Sequence, residues 1–329
     1  MQNTPNLSCN YLGFNLRSPI IASSSGFTDS VKKLVELERY GAGAVVLKSI
    51  FEEEIAGEYD KALRHEAENT GREEFLDYLD VRIRLENLGN YLQLIRDAKQ
   101  ALSIPVIASV NCKTAYEWMS FSEEIQKAGA DAIELNVFVL PSALGRSSIE
   151  NEKIYFDIIK QVRRRVNIPV AMKISYYFSN LAQFVHDLAH SGLSGIVMFN
   201  RFYSPDFNIH SLQVTQGNVL SHPGELFLPL RWISMLSGKL PCDLSASTGV
   251  EDGASVIKLL LAGASTVQVA SALYRHGTGY METLHNELRD WMTQHDFATI
   301  DSFRGMLSQN QYENPEVFER MQFMRYFSE

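Results

Sequence analysis

Two lysines close short apolar runs in this chain: Lys48 in AVVLKS and Lys173 in VAMKIS. An ammonium at the end of a buried strand is costly unless an anion meets it. Asn111, Asn136 and Asn200 close three other apolar runs, and serines do the same at Ser23, Ser24 and Ser25, at Ser247 and at Ser271. Side-chain amides in such places can hold the hydrogen-bonding edge of a ring. Between residues 240 and 277, two apolar segments (243–246 and 266–270) each empty into a turn of small residues. The first turn is Ser247-Thr248-Gly249, and the second is Ser271-Ala272, following Ala270. Small residues let backbone N–H groups approach a ligand, and a helix start just behind adds its dipole, so phosphate binding is the chemistry expected. A strand–turn–helix joint that needs small residues only for packing leaves the same trace, as does a single lysine that snorkels to solvent.

The elements that must position these residues repeat along the chain. Pro19, Pro105, Pro169 and Pro241 each open an apolar segment, as suits the first residue of a strand. Between them, Gly41, Gly129, Gly192 and Gly263 each end a helical pattern and precede the next apolar segment. The two signals alternate four times and predict eight strands. Helical periodicity lies between them, for example over residues 30–40, 115–128, 155–166 and 255–262. Thr114 with Glu117 makes a capping box for the second of these. Strand, helix, strand at this spacing means parallel βαβ units, and eight mean an α/β fold of the (β/α)8 TIM barrel kind. Its catalytic groups come from the C-terminal ends of strands, and its usual phosphate site lies after strands seven and eight. The polar ring therefore falls where a ligand belongs. A flavin mononucleotide (FMN) fits it, with phosphate at the two turns, lysines near the ring system and amides at its pyrimidine edge or at a substrate.

The 329 residues read as one barrel domain with additions: a hairpin over 7–17, a lid-like insertion over 50–85 and a helical extension over 295–329. The insertion carries eleven acidic residues against five basic ones (Lys61, Arg64, Arg72, Arg82 and Arg84). In the extension, Phe303, Met306, Phe318, Met321, Phe323 and Phe327 predict short helices packing back onto the barrel. A net charge of −9 argues against a general nucleic-acid or anionic-membrane surface. Cys9, Cys112 and Cys242 have no CxxC spacing, so neither a disulfide framework nor a zinc site is expected. The first residues form no basic and apolar signal region, and no apolar run approaches a membrane span, so a cytoplasmic protein is expected.

The segments SPIIASSSGF, GAGAVVLKS, IPVIASVN, IELN, IPVAMKIS and ASTGVEDGASVIKLLLAGASTVQVASALYRHG resemble the FMN-dependent dihydroorotate dehydrogenases, particularly the soluble class. The resemblance runs from about residue 12 to 288. It implies FMN contacts at Ser24, Lys48, Asn111, Asn136, Lys173, Asn200, Ser247, Thr248, Gly249, Ala270 and Ser271. It also implies substrate contacts at Asn136 and Asn200. The activity implied is that of a dehydrogenase acting on CH–CH groups, with hydride passing to flavin N5 and the flavin reoxidised by a second acceptor. The family's catalytic Cys or Ser falls at Val139, which has no atom to accept a proton, so dihydroorotate itself is doubtful as the substrate. Lys48 and Cys112 are the candidate catalytic residues, Cys112 as a replacement base or, alternatively, a buried inert thiol. Ser142, Ser147, Tyr176 and Tyr177 are further candidates near the same strand ends. A small-molecule substrate is the expected partner, and a homodimer is plausible. Two rivals remain: a flavin-free lyase or aldolase in which Lys173 or Lys48 forms a Schiff base, and a flavin-binding sensor or scaffold without turnover.

Overall fold

The computed structural model describes residues 4–51, 73–111, 115–201 and 204–319. A hairpin of β1 (Cys9–Tyr11) and β2 (Phe14–Leu16) opens the chain. The barrel strands follow: β3 (Ile20–Ala22), β4 (Val45–Val46) with its continuation β5 (Ile50–Phe51), β6 (Val106–Asn111) and β7 (Ala132–Asn136). They continue with β8 (Val170–Ile174), β9 (Gly195–Met198), β12 (Asp243–Ser247) and β13 (Thr266–Val269). β10 (Pro205–Asn208) and β11 (Gln213–Gln216) form a separate antiparallel hairpin outside the barrel. All barrel pairings are parallel, in the order β4-β3-β13-β12-β9-β8-β7-β6, and β6 pairs back with β4 to close the ring at eight strands. The expected (β/α)8 barrel is the fold observed.

Helices α1 (Val31–Arg39), α2 (Glu73–Ala101), α3 (Ala115–Ala128), α4 (Ser148–Arg163) and α5 (Leu181–Ala189) pack on the outside. After these come α6 (Phe227–Leu236), α7 (Gly253–Ala262), α8 (Ser271–His276), α9 (Tyr280–Gln294) and the short α10 (Glu316–Glu319). Among the described residues, no helix is long and apolar enough to cross a membrane.

The hairpin closes the N-terminal end of the barrel. Tyr11 and Leu12 are buried there against Gly195, where an added Cβ would lie 2.7 Å from Leu12 Cδ2. The Leu12 amide donates to Asp243 Oδ2 at 2.8 Å, which ties the hairpin to the start of β12. At the opposite end, strand two is interrupted. Val46 pairs with Ile107 and Ile50 with Val110, so four steps on one strand match three on the other. The extra residue falls in the Leu47–Ser49 stretch, a bulge of the kind that re-aims side chains next to a site.

Three expectations need correction. The connection expected over 50–85 is shorter, because Ile50 and Phe51 pair with β6 and α2 is already helical from Glu73. Tyr91, Ile95 and Ala98 recur on one buried face of that helix, a spacing that holds it to the barrel. Helix α4 starts at Ser148 rather than near Tyr155. Ser147 caps it in a reciprocal box with Glu150, so a polar, exposed first turn is helical without any apolar stripe. In the C-terminal segment Phe303 is buried as expected and Ile300 is buried beside it, but Met306 is about half exposed. The described helices there are one 3-10 turn (Ile300–Ser302) and α10. Thr114, Met321, Phe323 and Phe327 lie outside the described residues, as does most of the expected insertion.

Candidate active site

A cavity of about 400 Å3 opens where β3, β8, β9, β12 and β13 end. Ser24, Lys173, Asn200, Ser247, Thr248, Gly249, Ala270 and Ser271 line it together with Ser23, Ser25, Arg201, Ser221, Gln268 and Tyr274. The fold thus gathers eight of the eleven expected FMN-contact residues into one wall, with Ser23 and Ser25 beside them. Asn136, only 9% exposed, joins through Asn200, whose Nδ2 donates to Asn136 Oδ1 at 2.7 Å. Lys48 and Asn111 end neighbouring strands but are not part of this lining.

Lys173 is buried, and its ammonium donates to Gln268 Oε1 at 3.2 Å and to Ser23 Oγ at 3.3 Å. The anion its burial requires is a residue of the barrel, not only a ligand: Glu134 Oε1 lies 3.9 Å from Lys173 Nζ. Gln268 also links the two by donating through Nε2 to Glu134 Oε2 at 2.6 Å. Glu134 Oε1 itself has no hydrogen-bond partner among the described residues. Loss of hydration lowers the Lys173 pKa, and the Glu134 carboxylate opposes that shift. The pair therefore holds positive charge at the cavity floor while leaving the amine easier to deprotonate than a surface lysine.

The two small-residue turns meet on one side of this cavity. Thr248 and Gly249 both take positive φ, +83° and +77°. A Cβ at Gly249 would sit 2.3 Å from the Leu226 amide nitrogen, so only glycine fits. Thr248 Oγ1 donates to the Phe199 carbonyl at 3.0 Å, which holds the strained turn. Ser221, from the loop before α6, reaches across: its Oγ accepts from the Gly249 amide at 3.2 Å and lies 3.0 Å from Ser271 Oγ. Helices start behind both turns, α7 at Gly253 and α8 at Ser271. Two first-turn amides of α7 are occupied within the protein, with Gly253 N donating to Glu287 and Ser255 N to Asp252.

The remaining candidates fall outside the cavity wall. Val139, at the expected base position, is half-buried and packs against the core. Ser147 is the exposed α4 cap, and Ser142 is exposed on the same loop. Tyr176 and Tyr177 stand at the rim with their hydroxyls 3.3 Å apart, and that contact pushes the Tyr176 pKa up to about 12. Cys112 lies outside the described residues. Cys9 and Cys242 are pushed up to about 12 by burial, which keeps both as thiols.

Glu134 and Gln268 are the members that sequence reasoning missed. Each sits two residues before a strand-end residue that was noticed, Asn136 and Ala270 respectively. In a strand a two-residue step returns to the same face, so the signal was a polar residue inside IELN and TVQVA. Ser221 and Arg201 come from the long segment after β9 and carried no comparable periodic signal.

Comparison with known proteins adds to this geometry. Residues 6–292 match the family model described as dihydroorotate dehydrogenase. A dihydroorotate dehydrogenase B (NAD(+)) catalytic subunit of Thermoplasma volcanium is 26% identical over 313 residues, covering 91% of this chain and 98% of that protein. A protein of the same description from Pyrococcus furiosus is 26% identical over 301 residues, covering 89% of this chain and 96% of its own length. A chloroplastic dihydropyrimidine dehydrogenase (NADP(+)) of Arabidopsis thaliana is 23% identical over 335 residues, covering 92% of this chain and 77% of that protein. With a barrel of eight parallel strands, a lysine–carboxylate pair at its floor and a family match over most of its length, the chain belongs to the dihydroorotate dehydrogenase family.

Proposed function

We propose that this protein is an FMN-dependent oxidoreductase acting on a small unsaturated or dihydropyrimidine-like substrate. The observation that carries the reading is the meeting of both small-residue turns, at Ser247-Thr248-Gly249 and at Ala270-Ser271, with the buried ammonium of Lys173 in one cavity. The residues present fit the cofactor. Turns of small residues that meet at one side of a cavity suit a phosphate, and a buried cation suits the electron-rich side of a flavin ring. FMN, when bound, supplies the hydride acceptor at its N5.

In this reading Ser247, Thr248, Gly249, Ala270 and Ser271 hold the phosphate end. Lys173 offsets negative charge near the ring, kept in place by Ser23, Gln268 and Glu134. Lys48 and Asn111 approach from the adjoining strand ends, as does Ser24, whose Oγ lies 3.0 Å from Ser49 Oγ. The Asn136–Asn200 pair orients the substrate, since one amide oxygen and one amide nitrogen remain after their mutual hydrogen bond. Val139 can neither take nor give a proton. The proton lost or gained beside the hydride therefore passes through another group, with Cys112 and the Tyr176–Tyr177 pair as the candidates. For this reason a substrate other than dihydroorotate is favoured.

The test is the visible spectrum of the purified protein, followed by release and identification of any chromophore. Flavin bands with FMN released, bleached anaerobically by a dihydropyrimidine or another reduced cyclic substrate, support the reading. A colourless protein that takes up no added FMN overturns it. The lowered pKa of Lys173 keeps the Schiff-base lyase as a second reading. Borohydride trapping of a carbonyl substrate on Lys173 would select that one instead.

A further inference from the structure

At the N-terminal end of the barrel, remote from the strand-end cavity, a second cavity of about 350 Å3 opens between the start of β3, the end of α1 and α9. Arg17, Arg39 and Arg289 all line it, with Ser18, Tyr40 and His285 between them. In a chain of net charge −9, three guanidiniums around one pocket are an unusual concentration of positive charge. Among the described residues none of the three pairs with a carboxylate. Arg17 uses Nε on the Ala42 carbonyl at 2.9 Å and Nη2 on the Glu38 carbonyl, which fixes its plane and leaves its other N–H groups open. Glu38 feels the Arg17 charge, but its carboxylate is taken up by the Ser103 hydroxyl and by the Ser103 and Ile104 amides. Arg39 lies over the Tyr40 ring at 5.8 Å, and among the described residues Arg289 reaches only Asn286 Oδ1 at 3.4 Å. Glu282 is the lining's one carboxylate, and it pairs with none of them.

The floor of this pocket is built. His285 is 4% exposed and Ser18 2%. His285 Nδ1 lies 2.5 Å from the Met281 carbonyl, so Nδ1 carries the proton, and Nε2 accepts from Ser18 Oγ at 2.5 Å. Burial, with Arg289 and Arg17 nearby, pushes the His285 pKa down to about 4. The imidazole is thus neutral at pH 7, and the pocket's cation charge comes from the arginines alone. Planar guanidiniums with open N–H groups match the oxygens of a phosphate group.

We propose that this pocket is a second ligand site that takes a small phosphate-bearing anion, held by Arg17, Arg39 and Arg289. The site is independent of the reading of the strand-end cavity, because it shares no residue with it.

Titration with inorganic phosphate, followed by calorimetry, tests this. The wild-type protein is expected to bind phosphate saturably, and R17Q and R289Q are each expected to weaken that binding about tenfold. Phosphate held at the strand-end turns survives both substitutions, so an isotherm that neither changes overturns the proposal, as does the lack of any saturable binding. If either glutamine variant fails to fold, R289K and E282Q replace them. The first keeps the charge but loses the planar fork and should bind phosphate more weakly. The second removes the opposing carboxylate and should bind it more tightly. Unchanged affinity in both overturns the proposal.

Discussion

Lys173 Nζ, in the cavity wall, lies 3.9 Å from Glu134 Oε1 behind it, and both groups are buried. Gln268 joins them, donating to the carboxylate and accepting from the ammonium. This couples β7, β8 and β13 through charge, so the cation presented to a ligand is set by a residue that does not line the cavity.

Glu134→Gln should therefore destabilise the protein by about 3 kcal/mol, because it strands a buried cation. In a double-mutant cycle with Lys173→Met, the two changes should cost clearly less together than the sum of each alone. Urea unfolding midpoints of the four proteins measure this. Additive costs would mean that the two charges do not interact.

Gly249→Ala should cost about 2 kcal/mol or more, since it adds a Cβ 2.3 Å from a backbone nitrogen at a positive φ. The same change should abolish retention of FMN through purification, read from the visible absorbance. A variant as stable and as yellow as the wild type would remove this turn from the phosphate site.

Stability should fall on acidification between pH 6.5 and about 4 because of His285. Its folded pKa is depressed, so over that range the unfolded chain binds a proton that the folded one does not. The contribution is complete above pH 6.5 and reaches about 3 kcal/mol. His285→Asn should flatten the pH dependence of the melting temperature in that window relative to wild type.

The hairpin of β10 and β11 exposes Phe207, Ile209, Leu212 and Val214, each at least 69% accessible. Grouped apolar side chains of this kind mark an association surface. A homodimer through this hairpin should be shifted toward monomer by Phe207→Lys with Leu212→Lys, observed by sedimentation. A wild-type protein that is monomeric at micromolar concentration would contradict the expectation.

Much of this protein was legible along the chain. The fourfold alternation of Pro19, Pro105, Pro169 and Pro241 with Gly41, Gly129, Gly192 and Gly263 determined the barrel, because local backbone chemistry sets where helices stop and strands start. That order in turn placed Lys173, Asn200, Ser247 and Ser271 at one end, since parallel strands all finish on the same side. Three matters waited for the tertiary structure. Glu134 answers Lys173 across the barrel, a pairing between strands whose register no single segment encodes. Two of the α7 amides that a strand–turn–helix reading offers to a phosphate are taken by Asp252 and by Glu287, the latter from a helix 34 residues further on. Arg17, Arg39 and Arg289 come from a strand approach, a helix end and the last long helix, and only closure of the barrel brings them around one pocket. Local signals decided which elements form, and long-range packing decided which charges meet.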